Sequence, residues 1–179
     1  VHRGLAEGGL AAVKFNFLYT ERRRRLPDRM PLLEACYGKV VEHVVAALQP
    51  RRLVLGGKSM GGRVASHLAA KGLACDGLVF LGYPLHPAGK PEQLRTAHLP
   101  DIAAPMLFVA GTNDDLCELD LLRPVLAGLR VAVTLHVIEG GDHSFKVPKR
   151  VARSLPVVQE LVDVIAGWIG ALPPDRRAG

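Results

Sequence analysis

Cysteine is scarce in this chain of 179 residues: Cys36, Cys75 and Cys117 stand far apart and without C-x-x-C spacing. An odd, scattered set argues against a disulfide framework or a thiolate zinc site, and fits a reducing cytoplasm. Aromatic residues make up only 5% of the chain, too few to stack on successive bases, so nucleic acid is a poor partner. Long hydrophobic runs are missing too. No stretch of about 18 apolar residues is free of charge, which excludes a membrane-spanning helix. The opening segment VHRGLAEGGLAAVKF carries Glu7 and Lys14, which interrupt any signal-peptide core. No two histidines stand at metal-ligand spacing, so the sequence supports no metal site. Acidic residues are outnumbered 17 to 23, a net charge of +6, which permits an anionic partner without requiring one.

What is present is a chain able to fold. Hydrophobic residues are 49% and charged residues 22%, a globular balance with enough length for one domain. Continuous apolar runs, ending in Gly or Pro, predict buried parallel strands at Ala11 (AAVKFNF), Arg52 (RLVLGG), Gly77 (GLVFLGY), Pro105 (PMLFVAGT) and Val131 (VAVTLHVIEG). Helical periodicity fills the intervals. A short helix is expected over residues 2–10, and a longer one places Leu33, Tyr37, Val40, Val41, Val44 and Leu48 on one stripe. Further helices are expected from Met60 to Ala70, Leu116 to Leu129 and Pro156 to Ile169. Alternation of this kind predicts an α/β fold with a mostly parallel sheet between helices. The domain is expected over residues 1–171, with a frayed tail at 172–179.

The sharpest motif is Gly57-Lys58-Ser59-Met60-Gly61, a G-x-S-x-G placed directly after a strand and before a helix. A serine on so tight a turn projects its hydroxyl above the carboxyl edge of the sheet. Small residues two before and two after it let the backbone close, and the Met60 N–H is an expected oxyanion donor. The bland alternative is a Gly-rich turn with Ser59 as a helix cap. A serine nucleophile needs a base, and the base an orienting acid. In the matching chain order these follow as Asp and then His. Asn113-Asp114-Asp115 comes after one strand and Gly141-Asp142-His143-Ser144 after another. His143 is the candidate base. Asp114, closer to its strand, is favoured as the acid, with Asp115 the alternative and Asp142 a local loop-former. His43 and His67 read as surface or packing residues, His136 lies inside a strand, and His86, after a strand in GYPLHPAGK, could line the pocket but reads first as a turn residue.

The strings GGKSMGGRVAS, LGYPLHPAGKPEQLRTAHL, LFVAGTNDDL and GGDHSFKVPK resemble the α/β-hydrolase family over nearly the whole chain. More narrowly they resemble its dienelactone-hydrolase-like branch. The nearest group is the hydrolase-like domain shared by bacterial predicted hydrolases, the testis-expressed-protein-30 group and a regulatory subunit of the NSL histone acetyltransferase complex. The resemblance implies a three-layer fold with Ser59, Asp114 and His143 as nucleophile, acid and base. It places Tyr83, His86 and the NFLY turn (Asn16 to Tyr19, with Phe17 and Tyr19) around the pocket, where Lys58 also belongs. The group pattern opens with a further strand and an H-G-A-G-type loop that supplies a second oxyanion donor. By the resemblance this chain is an N-terminally incomplete copy. A gap is then expected between the strand at Ala11 and the strand at Arg52, with marginal stability and weak catalysis.

The basic run ERRRRLPDR, Glu21 to Arg29, reads first as a solvated loop, then as a rim recruiting anionic substrate, and last as a nucleic-acid contact. The expected function is hydrolysis of a carboxylic ester or related acyl bond in a small-molecule substrate, without a cofactor. The alternative is a hydrolase-like module that binds a protein partner.

Overall fold

The computed structural model describes residues 1–173; the expected tail falls outside the described residues from 174 onward. The runs at Arg52, Gly77, Pro105 and Val131 form strands β1 (Val54–Lys58), β2 (Gly77–Leu81), β3 (Met106–Asn113) and β4 (Val133–Asp142). They pair in the order β1-β2-β3-β4, all parallel. Helices α1 (His2–Glu7), α2 (Leu18–Glu21) and α3 (Met30–Leu48) precede β1. Helix α4 (Met60–Ala70) joins β1 to β2, α5 (Leu119–Ala127) joins β3 to β4, and α6 (Val157–Ala171) follows β4. A 3-10 turn at Leu99–Asp101 lies between β2 and β3.

Alternation along the strands divides the core between the two faces of the sheet. Leu78, Phe80, Met106 and Phe108 point to the face covered by α3, α4 and α5. Val79, Leu107 and Val109 point to the other, where Leu161 and Ile165 of α6 and Leu5 of α1 close over them. Full burial of each large side chain contributes about 1.5–3 kcal/mol, which explains why strands covered on both sides read as unbroken apolar runs. The stripe expected on α3 holds at Leu33, Tyr37 and Val41 but stops short of Leu48, which is 52% exposed. Helix α5 starts three residues later than the periodicity suggests, because residues 114–117 form a turn instead. Packed structure also continues past residue 171: the Arg52 guanidinium donates to the carbonyls of Ile169, Leu172 and Pro173.

The run at Ala11 corrects the sequence reading, for residues 11–17 form no strand. Side chains hold this segment in place. Phe15 packs edge-on against Tyr37 at 5.2 Å and against Phe17 at 5.4 Å. An apolar run becomes a strand only where a neighbouring edge supplies ladder partners, and none pairs with it among the described residues. With no strand at Ala11, the expected gap between two strands does not arise; among the described residues the outer edge of β1 pairs with no strand, and a side chain meets part of it. The Tyr37 hydroxyl donates to the Gly56 carbonyl at 2.8 Å and accepts the Gly56 N–H at 3.0 Å. One phenol thus satisfies both outward-facing backbone groups of the middle residue of β1. Burial pushes the Tyr37 hydroxyl up to about 12, which keeps it a donor.

Replacing Tyr37 with Phe keeps the ring and strands both Gly56 groups. Unsatisfied buried groups cost about 1–3 kcal/mol each, so the urea midpoint of Tyr37→Phe should fall clearly below that of the parent. An unchanged midpoint would show that the hydroxyl adds nothing to the edge.

Candidate active site

The turn from β1 into α4 is tight because its glycines leave no room for side chains. A Cβ on Gly57 would stand 2.6–2.9 Å from the backbone of Gly61 and Gly62, and one on Gly62 would stand 2.8 Å from the Gly57 carbonyl oxygen. Gly61 faces open space. The close approach is therefore between Gly57 and Gly62, and the small residue required after the serine is three positions on, not two. Between them Ser59 takes φ 51 and ψ −116, a conformation costing about 1–3 kcal/mol in a non-glycine residue. Its N–H is held by the Leu81 carbonyl at 2.9 Å. No side chain caps α4, so the first-turn N–H groups, Met60 included, lack intrahelical partners and face the serine's end of the helix.

Three side chains converge at the carboxyl ends of the strands. Ser59 Oγ lies 2.9 Å from His143 Nε2. His143 Nδ1 lies 2.9 Å from both carboxylate oxygens of Asp114. With the Ser59 hydroxyl donating to Nε2, the Nδ1–H donates to the carboxylate, which fixes the tautomer. The Asp114 side chain is fully buried and also accepts the Leu116 N–H at 2.9 Å. Asp115 is exposed and takes no part. Asp142 accepts the N–H groups of Ser144 and Lys146 at 2.7 and 2.8 Å, shaping the loop that carries His143. These bonds hold its carboxyl below the usual carboxylate range.

The pocket candidates separate. Lys58 reaches the site: its ammonium donates to the His143 carbonyl. Burial holds Lys58 below the usual ammonium range, while Asp114 and Asp142 draw it back up. Tyr83 is core instead, packed on Phe80 and Phe108, with its hydroxyl donating to the Arg95 carbonyl. His86 is buried, with Nδ1 at 2.9 Å from the Pro87 carbonyl, a turn contact. Phe17 belongs to the aromatic cluster on Tyr37, and Tyr19 stacks on it at 6.1 Å. The loop at Arg22–Arg29 is largely exposed, with Arg24 and Asp28 paired at 3.5 Å. A cavity of about 240 Å³, lined by Ala69, Cys75, Ile102 and Pro105 among others, lies at the opposite end of the strands. It has no connection to the serine.

A second serine–histidine contact carries no sequence signal. Ser66 Oγ lies 2.7 Å from His98 Nε2, and its own proton goes to the Arg63 carbonyl. Ser66 is therefore an acceptor for His98 Nε2–H. It is wholly buried in mid-helix, which rules it out as a nucleophile. The pair ties α4 to the 3-10 turn, and the His98 ring stacks on His67 at 3.8 Å.

The model of the alpha/beta hydrolase domain matches residues 1–170, and the chain belongs to that family. Solved structures share the fold. A putative alpha/beta hydrolase from Agrobacterium tumefaciens is 16% identical, with 97% of this chain and 77% of that one covered and a TM-score of 0.71. An alpha-beta serine hydrolase homologue from Coxiella burnetii is 22% identical, covering 79% and 64%, with a TM-score of 0.65. A serine hydrolase without lid from Xanthomonas campestris is 21% identical, covering 84% and 62%, with a TM-score of 0.61. The chain thus spans a little under two thirds of the last two proteins. Among the described residues, no helix is long and apolar enough to cross a membrane, and no group of three or more His, Cys, Asp or Glu is placed to hold a metal ion.

Burial, with the neighbouring charges of His67 and Arg63, pushes His98 down to about 4. A histidine depressed in the folded state contributes stability that is complete above about 6.5 and lost as pH falls toward 4. Urea midpoints of the parent should therefore drop between pH 6.5 and 4 more steeply than those of His98→Gln. Parallel curves for the two proteins would remove His98 from the acid sensitivity.

Proposed function

We propose that the protein is a serine hydrolase acting on a carboxylic ester or a related acyl bond of a small-molecule substrate. The observation that carries this reading is the continuous line from Ser59 Oγ through both nitrogens of His143 to the buried Asp114 carboxylate. In the proposed reaction, Ser59 Oγ bonds to the substrate carbonyl carbon while its proton passes to His143 Nε2. Asp114 stabilises the imidazolium, and the Met60 N–H faces the oxyanion. The leaving group departs with the Nε2 proton. Water then attacks the acyl-enzyme, activated by the same nitrogen, and Ser59 is regenerated. The chemistry needs no cofactor. Within the family we place the chain in the dienelactone-hydrolase-like branch, beside the testis-expressed-protein-30 group and the NSL-complex subunit, on the four strings that carry the resemblance. The cysteine pattern supports a cytoplasmic location.

A second reading, a hydrolase-like module that binds a protein partner, draws support from the outer edge of β1. Among the described residues no strand pairs with that edge, and an unpaired edge accepts an added strand, which here would displace the Tyr37 hydroxyl from Gly56.

Hydrolysis of short p-nitrophenyl esters separates the two. The parent should turn over, and Ser59→Ala should lose turnover by about 10⁴-fold or more while unfolding at a similar urea concentration. Undiminished turnover in Ser59→Ala would remove the nucleophile, and with it the hydrolase reading of this site.

A further inference from the structure

Ser59 and His143 come from opposite ends of the sheet. Ser59 follows β1 and His143 follows β4, and these are the two outer strands of the order β1-β2-β3-β4. Three strand spacings separate them, about 14 Å. The loop carrying His143 must therefore lean back across β3 and β2 to bring its ring to the serine. Gly82, at the end of β2, leaves space for it. A Cβ there would stand 3.2 Å from the His143 carbonyl oxygen and 3.4 Å from Cε1. Asp142 gives the loop its shape, but its bonds to Ser144 and Lys146 are internal to the loop and do not tie it to the far side of the sheet.

Lys58 supplies that tie. It adjoins Ser59, its ammonium donates to the backbone carbonyl of His143, and it stands 5.5 Å from the centre of the Phe145 ring. Phe145 is itself buried, at φ 60. Two successive residues of one turn thus hold one histidine, Ser59 by the ring and Lys58 by the backbone. A cation over an aromatic face gains attraction as well as contact area, so the ammonium is held by the ring and the carbonyl together.

We propose that Lys58 is a positioning residue: its ammonium holds the His143 carbonyl so that the imidazole stays between Ser59 and Asp114 across the width of the sheet. This rests on the reading of those three residues as a triad. Lys58 makes no bond to the reacting atoms; it acts through His143. A misplacement of about 1 Å in a reacting group costs on the order of 10²-fold in rate.

The test uses Lys58→Met, which keeps a side chain of similar length and removes the charged donor, and Lys58→Arg, which restores one. In proton NMR of the substrate-free protein, the Nδ1–H of His143 bonded to Asp114 gives a low-field resonance, assigned by its absence in His143→Gln. It should broaden or vanish in Lys58→Met and persist in Lys58→Arg. Turnover of p-nitrophenyl esters should fall about 10²-fold in kcat for Lys58→Met, with KM changed less than about twofold, and should recover largely in Lys58→Arg. An unchanged resonance in Lys58→Met overturns the proposal, as does a Lys58→Arg protein impaired as badly as Lys58→Met. Turnover surviving in Ser59→Ala would sink the triad reading alone, because the resonance is read without substrate.

Discussion

The turn between β1 and α4 is the constraint on which the site depends. Gly57 lies so close to the backbone of Gly61 and Gly62 that it admits no Cβ, and within this turn Ser59 takes a conformation few side chains adopt. The cost is about 1–3 kcal/mol of local strain, offset by the apolar burial of β1 and α4 on either side. What it secures is a hydroxyl lifted above the sheet, beside uncapped N–H groups at the start of a helix. His143 and Asp114 are then useful only because they arrive at that point. The β4 loop leans over Gly82, and Asp114 is turned inward by a bond to the Leu116 N–H.

The same fold leaves β1 as an outer strand although it carries the serine. An outer strand presents backbone groups that need partners. Tyr37 meets that need at Gly56 with one hydroxyl, and Phe15 packs against the same ring. Helix α3 therefore covers the sheet and also partly replaces a ladder. A tyrosine bonded at both faces of its oxygen is a specific solution, since phenylalanine would fill the same volume and satisfy neither backbone group.

Much of this was legible in the sequence where one local cause decides the outcome. Strands β2 and β3 were readable because residues buried on both faces must all be apolar, the outer strands β1 and β4 from shorter apolar runs ending in Gly, and α4 and α6 because one stripe faces the core. The G-x-S-x-G between a strand and a helix pointed to Ser59, and chain order pointed to Asp114 and His143. The strand expected at Ala11 failed although the run is apolar: Val13 stands 54% exposed, and Phe15 and Phe17 are held by aromatic side chains, not by a ladder. The resemblance implied Tyr83 and His86 around the pocket; Tyr83 packs in the core, and His86 makes the turn contact that its place after a strand favoured. For Tyr83 that outcome turns on Arg95, whose N–H donates to the Leu85 carbonyl and whose carbonyl accepts the Tyr83 hydroxyl, a pairing no short pattern encodes. The Ser66–His98 contact joins a helix to a distant turn and has no periodic signature at all. Lys58 was visible as part of the motif, but its bond to His143 depends on strand order, a property of the whole sheet.

The central claim is that Ser59, and not another hydroxyl, is the nucleophile of this site. A fluorophosphonate probe reacts only with a serine activated by a base and open to the ligand, so mapping its adduct by peptide mass spectrometry tests the claim directly. The account predicts a single phosphonylated serine, Ser59, in the peptide that joins β1 to α4. An adduct on Ser66, or no adduct on the folded protein, would contradict it.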